Sequence, residues 1–197
     1  MMADTHFIGD FSIDPQICDR LVELHRACDR KGLVKPGRMY TAGRNETSVD
    51  LSQKESFDVS VSEIPNDLQD EFGVPLYSRE LQRCTQEYVQ RYRHLKVVSF
   101  GVTETPVIQH YRPGGGFKAE HFERSNLATA ARMLTWMTFL NDVTDAGGTR
   151  FVYQELTVDA RRGRTLIWPT DFTHTHVGVV SPTQHKYIIT GWFNFVV

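Results

Sequence analysis

Three side chains in the second half of the chain carry donor atoms at a spacing that could hold one ion. In His121-Phe122-Glu123, residues two apart in an extended segment point to the same side, so an imidazole and a carboxylate converge. A second imidazole would come from a later strand, where His174 and His176 share a face and geometry alone leaves either eligible. Two imidazoles and a carboxylate on one face of an octahedron leave three positions open, which suits non-haem Fe(II) and oxygen chemistry. Lys186 follows His176 by ten residues, on the next strand, and adds a cation. Alone, the HxE pair is weak, because the chain has eight histidines and a histidine in a strand is more often a core or surface residue. The combination carries the argument.

These groups need a rigid frame, and the second half of the chain reads as short β-type runs. They cover Val97–Val102, Val107–Tyr111, Arg132–Leu140, Arg150–Tyr153, Arg164–Trp168, His176–Val180 and Lys186–Val197. Turn signals separate them, at Pro113-Gly114-Gly115-Gly116, Asn141-Asp142, Gly147-Gly148, Arg162-Gly163 and Ser181-Pro182. Many short strands with such punctuation predict a sandwich or barrel. Two helices precede them. Asp14 caps the first, Pro15 starts it, and Ile17, Leu21, Leu24 and Cys28 recur at helical spacing. The second covers Ser78 to Tyr92, with Leu81, Cys84, Tyr88 and Tyr92 on one face. Both apolar stripes predict packing on a sheet. Residues 31–60 are polar and read as a long loop, either a solvated excursion or a substrate lid.

The composition narrows the partners. With 22 Lys+Arg against 24 Asp+Glu the net charge is -2, which leaves no basic footprint for nucleic acid. No apolar run is long enough to span a bilayer. Cys18, Cys28 and Cys84 form no CxxC pair and make a disulfide framework improbable. The first residues lack a basic segment followed by an apolar stretch, so the expectation is a reduced, cytoplasmic protein.

From about Val107 to Phe195 the sequence resembles the 2-oxoglutarate and Fe(II)-dependent dioxygenases of the prolyl 4-hydroxylase type. The resemblance rests on Ile108-Gln109-His110-Tyr111-Arg112-Pro113-Gly114-Gly115, on Leu134-Thr135-Trp136-Met137-Thr138-Phe139-Leu140-Asn141-Asp142-Val143 and on Gly147-Gly148-Thr149-Arg150-Phe151. It continues through Arg161-Arg162-Gly163-Arg164-Thr165-Leu166-Ile167-Trp168, His176-Val177-Gly178-Val179-Val180 and Lys186-Tyr187-Ile188-Ile189-Thr190-Gly191-Trp192. It implies one dioxygenase domain over residues 1–197. Its core would be a double-stranded β-helix (jelly-roll, cupin-like) at about 97–197, buttressed by N-terminal helical and β support at 1–96.

By the same resemblance His121, Glu123 and His176 are the iron ligands, the pattern around His176 favouring it over His174. Lys186 pairs with the distal carboxylate of 2-oxoglutarate, where a buried anion needs a partner. Tyr111, Thr190 and Trp192 complete the cosubstrate pocket. The implied reaction consumes O2 and 2-oxoglutarate, releases succinate and CO2, and hydroxylates a C–H bond, with ascorbate a candidate auxiliary. The implied substrate is a prolyl residue of a peptide or protein, or else a free amino acid or other small molecule. Arg38, Tyr40, Arg124, Asn126 and Trp136 are the candidate substrate contacts. Two positions depart from the family pattern: Glu123 stands where it usually has Asp, and Phe139 where several members have a tyrosine. A Zn(II) hydrolase would leave Lys186 and Tyr111 without a role. A non-catalytic β-barrel module would be expected to have lost a ligand or the cation.

Overall fold

A computed structural model describes residues 6–40 and 46–196. Its long strands carry apolar side chains at successive positions, and because successive side chains point to opposite faces they build two cores, one on each face of one antiparallel sheet. The sheet runs in the order Gly9–Ser12, Arg164–Pro169, Arg132–Phe139, Lys186–Phe195, Val107–Tyr111, Phe57–Ser60, Lys35–Pro36, and Phe100–Gly101 joins the far end of Lys186–Phe195. A second, three-stranded sheet of Leu156–Val158, Thr149–Phe151 and His176–Gly178 faces it, also antiparallel.

The helices Pro15–Arg30 and Val74–Arg91 cover the outer face of the large sheet. Leu21, Leu24, Cys28, Tyr77, Leu81 and Cys84 pack there against Trp136, Ile167, Ile189 and Phe193. The inner face carries Tyr111, Met137, Phe139, Leu166, Trp168 and Ile188, which pack with Phe151 of the small sheet. Trp136 and Met137 thus point to opposite sides, as successive strand residues must. Gly191 lies opposite Trp136 in register, and a Cβ there would stand 2.5 Å from the indole Cζ2. Gly191→Ala should cost ~1–3 kcal/mol of stability from overpacking, read by chemical denaturation.

The first helix is capped as expected, the Asp14 carboxylate accepting from the Gln16 amide at 2.9 Å. The second begins four residues earlier than its apolar stripe suggests. Gly73, in the left-handed region at φ 80°, turns the chain into Val74-Pro75, where proline needs no partner. Other expectations are corrected. Val97 closes a 3-10 turn over Arg93–Val97, and only Phe100–Gly101 of that run is strand. The strand expected at Arg150–Tyr153 is Thr149–Phe151. Within residues 31–60, Phe57–Ser60 enters the large sheet beside Val107–Tyr111, and Met39–Tyr40 pairs with Thr47–Ser48 as a hairpin.

Candidate metal and cosubstrate site

The inner faces of the two sheets enclose a cavity of about 370 Å³. At one wall His121 and His176 face each other across an antiparallel bridge. Each amide donates to the other's carbonyl, His121 N to His176 O at 3.0 Å and the reverse at 2.9 Å. Directly opposed residues on such a bridge put their side chains on one face. Each ring is then fixed by its own backbone: His121 Nδ1 lies 2.9 Å from Ala119 O, and His176 Nδ1 lies 2.9 Å from His174 O. A carbonyl only accepts, so Nδ1 carries a proton in both rings and each Nε2 is the ring nitrogen turned to the cavity.

Both Nε2 atoms face Glu123. Its Oε1 lies 3.6 Å from His121 Nε2 and 3.5 Å from His176 Nε2. Donor atoms of the three residues all fall within 4.8 Å of one another, the only such His/Cys/Asp/Glu group among the described residues. Burial pushes the Glu123 carboxyl up, but the two imidazoles outweigh it and hold it well below the usual carboxylate range. Burial and the neighbouring His176 hold the His121 imidazole below its ordinary value. An anionic carboxylate between two imidazoles is a donor set suited to a cation. Phe117 stacks on the His121 ring at 3.7 Å, and Trp168 meets His176 edge-on at 5.1 Å.

Farther along the same cavity, Lys186, Ile188, Thr190 and Trp192 project from one face of the last strand. Lys186 is buried. Its ammonium donates to Gly147 O at 2.9 Å and lies 5.1 Å from the Tyr111 ring. Desolvation pushes it down to about 8. A buried cation with a carbonyl as its described hydrogen-bond partner fits a carboxylate from outside the chain. Tyr111 is its register partner on Val107–Tyr111, and its hydroxyl donates to Gln109 Oε1 at 2.6 Å. Thr190 lines the cavity while its hydroxyl donates to Trp136 O at 2.8 Å. The Trp192 indole donates to Glu123 Oε2 at 3.0 Å.

Residues 106–194 match the 2OG-Fe(II) oxygenase superfamily. Over that stretch, somewhat less than half of its length, the chain is similar to the 2-oxoglutarate- and Fe(II)-dependent oxygenases. Solved structures share its architecture. A prolyl-4-hydroxylase from Pseudomonas putida aligns at 18% identity with a TM-score of 0.68, over 96% of this chain and 94% of that one. The viral collagen prolyl hydroxylase from Paramecium Bursaria Chlorella virus-1, in complex with 2-oxoglutarate, aligns at 16% and 0.64 over 100% of both chains. A Trichoplax adhaerens prolyl hydroxylase, bound to a hypoxia inducible factor peptide, aligns at 15% and 0.69 over 95% and 84%. No curated protein matches. The fold is the double-stranded β-helix expected, and Fe(II) and 2-oxoglutarate are the metal and cosubstrate of the family matched. No described helix is long and apolar enough to cross a membrane.

The expected substrate contacts divide. Arg38 and Tyr40 line the cavity beside the hairpin, the Arg38 guanidinium donating to Thr47 O at 2.6 Å. Trp136 does not face the cavity wall that bears the donors; it is fully buried in the helix-side core. Its place in the strand, one residue before Met137, decides this. Arg124 is clamped by Asp171, with Nη2 2.7 Å from both carboxylate oxygens, and Asn126 caps the turn Leu127–Thr129. Neither lines the cavity. His174 does not share a strand face with His176. It ends a 3-10 turn, and its Nε2 lies 2.8 Å from His6 O. His185 and His110 pair with each other at 2.9 Å, outside the cavity. Sequence reasoning missed Lys54 and Arg132, both buried at the cavity. For Arg132 the available signal was a cation opening an otherwise apolar strand.

Proposed function

We propose that His121, Glu123 and His176 hold Fe(II), that Lys186 pairs with the distal carboxylate of 2-oxoglutarate, and that residues 1–197 act as one hydroxylase domain. The observation that carries this reading is one cavity with two imidazole Nε2 atoms and an anionic carboxylate converging at one end and a buried ammonium at the other. When bound, iron and 2-oxoglutarate supply the oxidant: O2 and 2-oxoglutarate give succinate and CO2, and one oxygen atom enters a substrate C–H bond. The chain's own residues orient and exclude water. Phe117 and Trp168 fix the imidazoles, Tyr111 and Phe139 flank the Lys186 ammonium, and Met137 and Ile188 make the cavity floor apolar.

The substrate we propose is a prolyl residue of a peptide or protein, read from the prolyl hydroxylases that share the fold and from a mouth edged by the Met39–Tyr40 hairpin. Arg38 at that mouth equally suits the carboxylate of a free amino acid, which keeps that second reading in the test. The three buried, unpaired cysteines agree with a reducing, cytoplasmic setting.

The purified protein, given Fe(II) and 2-oxoglutarate without oxygen, should develop a visible metal-to-ligand charge-transfer band. Its absence from folded, iron-loaded protein would remove the assignment. With O2 and ascorbate, succinate release should then be stimulated by proline-containing peptides. Stimulation by free amino acids alone would replace the peptide reading.

A further inference from the structure

A glutamate ligand carries one more rotatable bond than an aspartate, and its second oxygen can swing onto the ion it serves. In this chain that oxygen is already engaged. Glu123 Oε2 accepts from the Trp192 indole N–H at 3.0 Å and lies 3.6 Å from Arg132 Nη1, while Oε1 alone faces the two Nε2 atoms. The arm that holds Oε2 is itself fixed. The Arg132 guanidinium stacks on the Trp192 ring at 3.6 Å. It is clamped on Glu104, Nε to Oε1 at 2.9 Å and Nη2 to Oε2 at 2.5 Å. Glu104 Oε1 also accepts from Asn194 Nδ2 at 3.0 Å. Arg132 reaches this place because the register slips between Arg132 and Leu134, a bulge that re-aims the side chain.

We infer that Trp192, braced by Arg132 and Glu104, is a positioning residue that restricts Glu123 to donating one oxygen, so that the longer ligand does not take a coordination position needed by 2-oxoglutarate or O2. The inference rests on the ligand assignment proposed above. It gives Trp192 a task other than contacting cosubstrate. It also accounts for a glutamate where an aspartate is usual: the added length is taken up by a donor placed to hold it.

The first variant removes only the hydrogen bond. Trp192 is exchanged for β-(3-benzothienyl)alanine, which keeps the bicyclic shape and puts sulfur where the N–H was; Trp192→Phe is the encoded companion. Co(II), then 2-oxoglutarate, are titrated anaerobically and followed by the Co(II) visible spectrum, with thermal unfolding recorded for each protein. The expected result is a split: Co(II) binds the variants as tightly as wild type or more so, while the 2-oxoglutarate dissociation constant rises at least about tenfold. A structural defect would weaken both together, and that outcome, or unchanged affinity for both, overturns the inference. If wild type itself binds Co(II) but shows no spectral response to 2-oxoglutarate, the functional reading fails, and this inference with it.

Discussion

His176→Ala should abolish the charge-transfer band of the Fe(II)–2-oxoglutarate complex and leave no succinate formation above background. His174→Ala should keep both. The two histidines are two residues apart, yet only His176 exchanges backbone hydrogen bonds with His121 and directs Nε2 at Glu123. Removing it deletes one of three donors and leaves the anionic Glu123 buried beside a single imidazole. Removing the His174 ring deletes its contacts with Thr173 and His6, a cost of ~1–3 kcal/mol in stability, read by denaturation. The carbonyl that orients the His176 ring belongs to the backbone and survives in His174→Ala. Retention of the band in His176→Ala and its loss in His174→Ala would reassign the ligand.

The second large effect is expected at Lys186. Lys186→Ala should leave Fe(II) affinity within a few-fold and raise the 2-oxoglutarate dissociation constant at least about a hundredfold, the range for stranding one partner of a buried ion pair. The pH dependence follows from the same burial. Desolvation holds the free ammonium at about 8 against an ordinary 10.5. Between these values the unfolded chain binds more protons than the folded one at this position. The ligand-free protein should therefore gain stability from Lys186 as pH rises from 8 to 10.5, the full penalty being present below 8. A dicarboxylate favours the charged form, so its affinity should be level below pH 8 and fall above it, with proton uptake on binding. Isothermal titration in buffers of different ionisation enthalpy measures both. Affinity independent of pH across this window, or unchanged in Lys186→Ala, would remove the carboxylate pairing.

How much of this was legible beforehand follows from the range of the forces involved. Strand periodicity and glycine-rich turns are local, so Val107–Tyr111, Arg132–Phe139 and Lys186–Phe195 could be read nearly to their ends. The pairs that build the site are not local. Gly9–Ser12 is a strand only because Arg164–Pro169 accepts it, and Phe57–Ser60 only because Val107–Tyr111 offers an edge. Polar and punctuated by glycine, residues 31–60 look like a loop until those partners exist. The donor set could be named from spacing and resemblance, whereas the arrangement behind it could not. Arg132 reaches Glu123 through a register slip, and a one-residue slip changes which face a side chain takes. Trp136 shows the converse: an aromatic near the motif, turned to the helices by the same alternation that turns Met137 inward.

The bridge between His121 and His176 has a consequence for how the centre is charged with its ion. Its two hydrogen bonds close a long segment of chain and bring two donors together through the backbone alone. The entropy of gathering them is met by the pairing of the two strands. Capture should then be limited by stripping water from the ion rather than by chain motion. Apoprotein kept folded should recharge quickly and reversibly, and chelation should empty the site without melting the sheets around it.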